Sequence, residues 1–408
     1  MTKIPEVRFL DRTTPPTTIT LVLLAGVSAL NMSIFLPSLS GMTAYFDTTY
    51  SVMQIAVSGY FLCTAILQLI IGPLSDRIGR RPVILGSLAL FVLGTVGAIF
   101  APNIWVFLLC RIIQASVASC MALSRAVVRD VYPTDQAASR IGYVTMGMSI
   151  VPMIGPVIGG GLDELFDWRA SFVFLAISAG AILALTYRDL GETSRSQGMS
   201  MGQQFAQYPL LLKSVRFWGY VACTSFCAGA FYALLGGASY VAENVYSLSP
   251  RDAGLALGMP ALGYFFGNYL SGRYAVKYGI NALSLAGCIL SLISLLISAA
   301  LVSHGHDTPL VFFGMISIMG LGNGLTMPNA TTGSLSIKPE IAGTASGLAT
   351  AIMMGSGAMM SALASSMLSG DNAAFTLASI MAASAAASLV SILLVIWRER
   401  QQGLSAAI

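Results

Sequence analysis

The sequence predicts an all-α integral membrane protein of twelve transmembrane helices arranged as two six-helix bundles. Three observations predict it. Of the 408 residues, 56% are hydrophobic and only 9% are charged, a balance outside that of water-soluble domains. The charges fall in short clusters between apolar runs of about 20 residues, the length that crosses a bilayer core. A long polar stretch, residues 188–213, lies near the midpoint and separates two sets of six such runs.

Residues 1–17 are polar, carry Lys3, Arg8 and Arg12, and end in Pro15-Pro16, so they read as an N-terminal tail. The N-terminal bundle covers 18–187, with spans at 18–40, 51–71, 82–101, 104–124, 137–161 and 168–187. A linker at 188–214 follows, then the C-terminal bundle at 215–397, with spans at 215–241, 253–275, 280–302, 309–329, 341–366 and 373–396. Residues 398–408 form the C-terminal tail. No small-residue cleavage site follows the first run, which reads as a retained span.

Basic residues set the orientation. Eighteen of the 21 lysines and arginines share a side with both termini, Arg169 and Arg251 stand on the other, and Arg111 lies within a span. By the positive-inside rule both termini are cytoplasmic. The six cysteines all sit in apolar runs without metal-type spacing, and Cys223 and Cys227, one turn apart, read as small apolar filler. No cofactor and no metal site is expected.

The densest charge cluster is residues 72–85, GPLSDRIGRRPVIL. Asp76, Arg77, Arg80 and Arg81 bring the chain to the membrane surface. Gly72 and Gly79 permit a tight reversal between spans 2 and 3, and Pro82 suits the first turn of the next helix. The run fits G-x-L-x-D-R-x-G-R-R-x-x-x-L and resembles the cytoplasmic loop 2–3 of major facilitator superfamily transporters. An eroded copy, GNYLSGRYAVKYG at 267–279, follows span 8, with Leu270-Ser271 and Arg273 answering Leu74-Ser75 and Arg77 at an offset of 196. Internal repeats of this kind place a substrate site near the midplane between halves.

Arg111 lies about seven residues into span 4, with Gln114 one turn on. A charge at that depth is costly unless it faces a wet cavity or a partner. It is either a cavity-lining cation or a structural tie to carbonyls of neighbouring spans. Span 5 carries Gly155-Pro156 and Gly159-Gly160. Its small-residue spacing packs helices closely, and it is similar to the G-x-x-x-G-P-x-x-G-G motif of facilitator-type antiporters. Further cavity candidates are Asn31, Ser33 and Phe35 in span 1, Tyr60 in span 2, Phe231 and Tyr232 in span 7, Tyr264 and Phe265 in span 8, Asn323 in span 10 and Met354 in span 11. Methionines and aromatics line many permissive pockets.

Ser124–Asp130 (SRAVVRD), Trp168-Arg169, residues 236–252 and 322–347, and Leu36-Pro37-Ser38-Leu39 together resemble the Bcr/CflA multidrug-resistance branch of the drug:proton antiporters. The resemblance implies a bacterial inner-membrane exporter of small, moderately apolar drugs of phenicol or bicyclomycin type, working by alternating access with protons as the coupling ion. It also implies that Asp76 and Arg129 join a cytoplasmic charge cluster that latches the halves. One departure stands out: where the branch often carries Asp in span 1, this chain has Ser33, which cannot carry a proton near neutral pH. No acidic residue lies deep in a span, and Glu243, near the outer end of span 7, comes closest. An alternative is therefore an exporter or facilitator of one anionic or zwitterionic metabolite, with Arg111 as counter-charge.

No Walker loop, nucleophile–base pair or intramembrane carboxylate pair is present, which argues against an ATP-driven pump and against an enzyme. The expected partners are a small-molecule substrate, protons and membrane lipid, with no nucleic acid, for a monomeric protein.

Overall fold

The computed structural model describes residues 7–132, 134–194, 208–306, 308–338, 341–368 and 372–403. Lys3 and Arg195, two of the eighteen basic residues counted above, lie outside them, as do Asp307, Asp371 and the outermost parts of both tails. Among the described residues twelve long helical segments follow one another and no strand occurs. The first six are α1 (Thr18–Tyr45), α2 (Tyr50–Ile78), α3 (Arg80–Ile99), α4 (Ile104–Val131), α5 (Thr134–Leu165) and α6 (Trp168–Asp189). The second six are α7 (Val215–Val245), α8 (Pro250–Tyr278), α9 (Ile280–Ser303), α10 (Pro309–Ser336), α11 (Ala342–Met367) and α12 (Ala373–Gln401). Ten of these are long and apolar enough to cross a membrane. The other two, α5 and α8, are 32 and 29 residues long and carry internal prolines, Pro152 and Pro156 in α5 and Pro260 in α8.

Most starts are capped by side chains that accept a backbone N–H: Thr17, Thr49, Asn103, Asp167, Ser214, Ser249 and Thr308. Two helices start differently. α3 and α9 begin directly after Gly79 and Gly279, whose φ values of 110° and 80° are open to glycine but strained for other residues. The cluster at 72–85 is thus helical through Ile78 and reverses on a single residue. Gly72, expected at a close approach, has open space where a Cβ would stand.

These two glycines also set the register of the internal repeat. Gly79 answers Gly279 and Gly72 answers Gly272, an offset of 200 rather than the 196 read from Leu74-Ser75. The four-residue slip is about one helical turn, so both registers put the same face of the helix forward. In this register Arg80 and Arg81 correspond to Ile280 and Asn281 and Asp76 to Val276, while Arg77 keeps a basic counterpart in Lys277.

The halves meet most closely at the ends opposite these turns. A Cβ on Gly160 of α5 would collide with the carbonyl of Pro250, and one on Gly254 of α8 with that of Pro156, so only glycine permits the α5–α8 approach. Ser239 Oγ of α7 donates to Leu36 O at 2.7 Å, and Tyr240 N donates to the Tyr50 hydroxyl at 3.2 Å. Gly347 and Gly355 of α11 face Gln68 and Ala65 of α2.

Candidate functional site

Proline and short helical irregularities open the backbone around Arg111. The α-helical part of α1 ends at Ser33, and Leu36–Ser38 forms a tighter 3₁₀ turn with Pro37 at its start. A second such turn, Ala115–Val117, follows Gln114 in α4. Between them, Arg111 is 1% exposed. Its Nε donates to Ala56 O at 3.2 Å and Nη1 to Asn31 Oδ1 at 2.8 Å, while Nη1 also donates to Gln114 Oε1. Gln114 in turn donates to Thr95 Oγ1 at 2.8 Å, which fixes its oxygen toward the arginine.

Two rings lie against the guanidinium: Phe35 at 4.3 Å and Tyr60 at 5.1 Å from its central carbon. No carboxylate pairs with Arg111 among the described residues. An arginine at mid-bilayer depth costs about 2.5–3.5 kcal/mol by insertion scales. Hydrogen bonds from a charged donor return about 1.5–3 kcal/mol each, and a desolvated cation–π contact returns about 2 kcal/mol. Neutral partners therefore suffice to hold the charge. Nη2 makes no hydrogen bond among the described residues. Asn31 Nδ2 and the hydroxyls of Tyr60 and Thr64 are buried without a partner of ordinary geometry. Unspent donors around a cation are what a polar ligand or water would use.

An aromatic path leads from this cluster to the second half. Tyr60 stacks edge-on to Phe61 at 5.9 Å, Phe61 meets Tyr232 of α7 at 4.6 Å, and the Tyr232 hydroxyl donates to Met354 Sδ at 3.1 Å. Phe231 touches Tyr232 at 6.1 Å and is half-buried. The structure thus brings together Asn31, Phe35, Tyr60, Arg111, Gln114, Tyr232, Met354 and, at the margin, Phe231.

Four sequence candidates stand apart. Ser33 donates to its own helix at Ala29 O and packs where Gly155 leaves room, so it is a packing residue beside the cluster. Asn323 is tied into the interior of the second half, donating to Cys227 O at 3.1 Å and accepting from Cys227 Sγ at 3.0 Å and Ser291 Oγ at 3.3 Å. Phe265 lies on the exposed row of α8 with Leu262, Phe266 and Tyr269, the lipid side of a spanning helix. Tyr264, its neighbour, is turned inward and half-buried, with Asn268 Nδ2 donating to its carbonyl. The cysteines correct another expectation: Cys227 and the Cys223–Cys288 pair, 3.9 Å apart, belong to a polar network with Ser388 and Thr326 rather than to apolar filler.

The charge cluster around the Gly79 turn has a different hub from the one expected. Arg80 is buried and pairs with Asp76 one turn back and with Asp130 of α4 at 2.9 Å. Arg77 and Arg129 are exposed, and Arg129 forms no ion pair among the described residues. Two carboxylates that the sequence reading passed over complete the region. Glu192 accepts from Arg80 N at 2.9 Å and Arg81 N at 3.3 Å, which caps the uncapped start of α3. Arg81 Nε reaches Leu190 O at 2.9 Å. Asp189, fully buried, accepts from Leu10 N, Thr17 N, Thr17 Oγ1 and Thr20 Oγ1 at 2.6–3.0 Å. An acidic residue at the end of an apolar span was the available signal. Gly155 and Gly159 pack against Ser33 and the Ile34 carbonyl of α1, and Pro156 sits at the α5–α8 contact.

The comparison with known families decides the assignment: the Major Facilitator Superfamily pattern matches residues 21–362 and again 221–405. The chain belongs to the Major Facilitator Superfamily. A chloramphenicol resistance protein of Pseudomonas aeruginosa is 30% identical over 321 residues, 78% of this chain and 76% of that one. Multidrug resistance protein D of Escherichia coli is 27% identical, covering 84% of this chain and 86% of its own length. A bicyclomycin resistance protein homolog of Haemophilus influenzae is 26% identical over 86% and 88%. These relatives carry the branch as well as the superfamily: they are drug-resistance members, in line with the motifs read from the sequence. Among solved structures, the partially occluded, inward-open xylose transporter XylE of E. coli superposes with a TM-score of 0.73 at 15% identity, over 93% of this chain and 96% of that one. The fold is accordingly that of a multi-pass membrane transporter.

Proposed function

We propose that this facilitator exports small, moderately apolar compounds of phenicol or bicyclomycin type from the cytoplasm across the bacterial inner membrane. It does so as a monomer by alternating access in exchange for protons, with both termini cytoplasmic. The observation that carries the reading is the Arg111 cluster: a buried cation against two rings, held by neutral groups, with Nη2 and the Asn31 amide unspent. Such a place suits a neutral, polar-tipped aromatic compound, which meets ring faces and hydrogen-bond donors together. The resistance proteins among the relatives support that substrate class.

A second reading has its own observation. Ser33 stands at the usual carboxylate position and bonds only to its own helix, so span 1 supplies no proton carrier. A fixed cation without a fixed anion then fits one anionic or zwitterionic metabolite, moved without coupling through span 1.

Uptake of a labelled phenicol and of ethidium into inverted vesicles, with and without an imposed pH gradient, separates the two. Gradient-driven phenicol uptake with little ethidium uptake is expected. Strong ethidium accumulation contradicts the charge argument, and indifference to the gradient removes antiport.

A further inference from the structure

The most unusual backbone at the outer end is Val241–Val245 of α7, wound as a π-helical turn, a form that concentrates at functional positions. It follows directly on Ser239 and Tyr240, which contact α1 and α2 of the other half. The turn carries Glu243. The Glu243 carboxyl faces the Ser40 hydroxyl of α1 and the Asp163 carboxyl of α5, and Asp163 faces the Ser38 hydroxyl. Glu243 Oε1, Ser40 Oγ and Ser38 Oγ are nonetheless buried without a hydrogen bond of ordinary geometry. Ser38 is 1% exposed, so an unpartnered hydroxyl is sealed into the space beside the two acids.

Among the described residues neither Glu243 nor Asp163 forms an ion pair with a cation. Tyr50 of α2 is the other titratable group acting on Glu243, and Asp167 stands behind Asp163. From α8, which packs on the π-turn, the charged residues at that end are Arg251 and Asp252, and neither forms an ion pair with Glu243. α12 packs on the turn as well. A carboxylate removed from water beside a second carboxylate disfavours the anion. A proton on Glu243 would turn it into a donor for the unpartnered oxygens.

We infer that closure of the outer gate takes up one proton from the external side onto the Glu243–Asp163 pair, which makes the gate an external-pH sensor. Separating the halves parts Glu243 on α7 from Ser40 and Asp163 on α1 and α5, restores water, and releases the proton to the side it came from. The step carries no net proton across the membrane. It therefore takes alternating access from the function proposed above but not proton coupling. By linkage, a closed state that holds one more proton than the open state gains up to about tenfold in closed-to-open ratio per unit fall in external pH.

The test places spin labels at Gly41→Cys and Leu310→Cys, exposed outer positions on the two halves, with Cys63→Ala, in reconstituted protein. The outer-end distance distribution is then followed against external pH. In the otherwise unaltered chain the closed fraction should rise as pH falls, over a range of several units. Glu243→Gln, which keeps shape and polarity, should flatten the profile and favour closure at all pH values. Asp163→Asn should keep the transition and move it to lower pH. An unchanged profile in Glu243→Gln, or closure that increases with rising pH, overturns the inference. Phenicol export under a proton gradient is measured on the same vesicles. Its retention in Glu243→Gln supports a gate role, and its loss of gradient dependence there, with labelled distances unchanged, overturns it in favour of a coupling carboxylate. Gradient-independent export by the unaltered chain would end the antiport reading and leave the gate profile standing on its own.

Discussion

The two halves of this transporter bury polar groups at matching places and satisfy them by opposite means. At the C-terminal end of each sixth helix sits a buried carboxylate, Asp189 in the first half and Glu399 in the second. Asp189 is held by two backbone amides and two threonine hydroxyls on the first helix and the segment before it. Glu399 is held by Arg216, Tyr220 and Asn281, with Asn281 Nδ2 at 2.6 Å and the Tyr220 hydroxyl at 3.0 Å. Thr20 and Tyr220 correspond in the 200-residue register, so one repeat position answers its acid with a hydroxyl in both copies. The pattern extends inward: Arg111 has neutral partners alone, whereas the interior of the second half is a network of Cys, Ser, Thr and Asn. A charge without a counter-charge is stabilised only while its cage is intact. A paired charge makes a static clamp.

That contrast can be broken at Arg111 first. Arg111→Ala should reduce phenicol transport to the level of vesicles lacking the protein while the chain still elutes as a single species in detergent. Loss of folding instead would make the arginine a tie between α1, α2 and α4. In the second half the order reverses. Arg216→Met leaves Glu399 buried and unpaired, a loss of about 3–5 kcal/mol. The double change Arg216→Met with Glu399→Gln should recover most of it, because replacing a buried pair outright is often near neutral. Thermal unfolding of the three proteins in detergent measures both. If the single and double variants melt together, Glu399 is not dependent on its arginine.

Much of this was legible in the sequence because hydropathy and charge act at long range along the chain. All twelve long helices were read within a few residues at most ends, and the largest overshoots, seven residues each, are at the C-terminal ends of α2, α4 and α10, on the side of the Gly79 turn. Arg111 and Gln114 were legible for the same reason, as polar residues at a depth where the bilayer tolerates few. The repeat register was not, since a slip of four preserves the helix face and leaves the apolar pattern unchanged. Asp189, Glu192 and Glu399 were missed because an acid near a span end looks solvated until its partners, 111 to 183 residues away in the chain, are folded against it. Phe265 was misplaced by one position of helix rotation relative to Tyr264, a difference that packing decides.

A smaller effect sharpens the neutral clamp. Asp189→Asn keeps the side-chain shape but removes the charge from its four donors. A loss of about 2 kcal/mol is expected, in the range for hydrogen bonds to a charged group. Because three of the four donors belong to Leu10 and Thr17, the variant should become sensitive to limited proteolysis within residues 8–17 while its transport rate changes little. Unaltered protease resistance would show that the tail is held by other contacts, such as Arg12 stacked on Tyr187 at 5.1 Å.

The finest test uses two glycines seven residues apart in one motif. Gly79→Ala places a Cβ at φ 110° and against the Glu192 carboxyl that caps α3. Left-handed or mirror-region backbone costs a non-glycine residue about 1–3 kcal/mol, and displacing Glu192 exposes the Arg80 and Arg81 amides as well. Gly72→Ala adds a methyl to a helix interior with nothing near it. Alanine exceeds glycine in helix propensity by about 0.8–1.0 kcal/mol, so the variant should be as stable as the parent or slightly more so. Gly272, also in open space, should follow Gly72. Should Gly72→Ala lower stability or transport, the glycine serves a conformation other than the one described here, since no contact in this one forbids the methyl group.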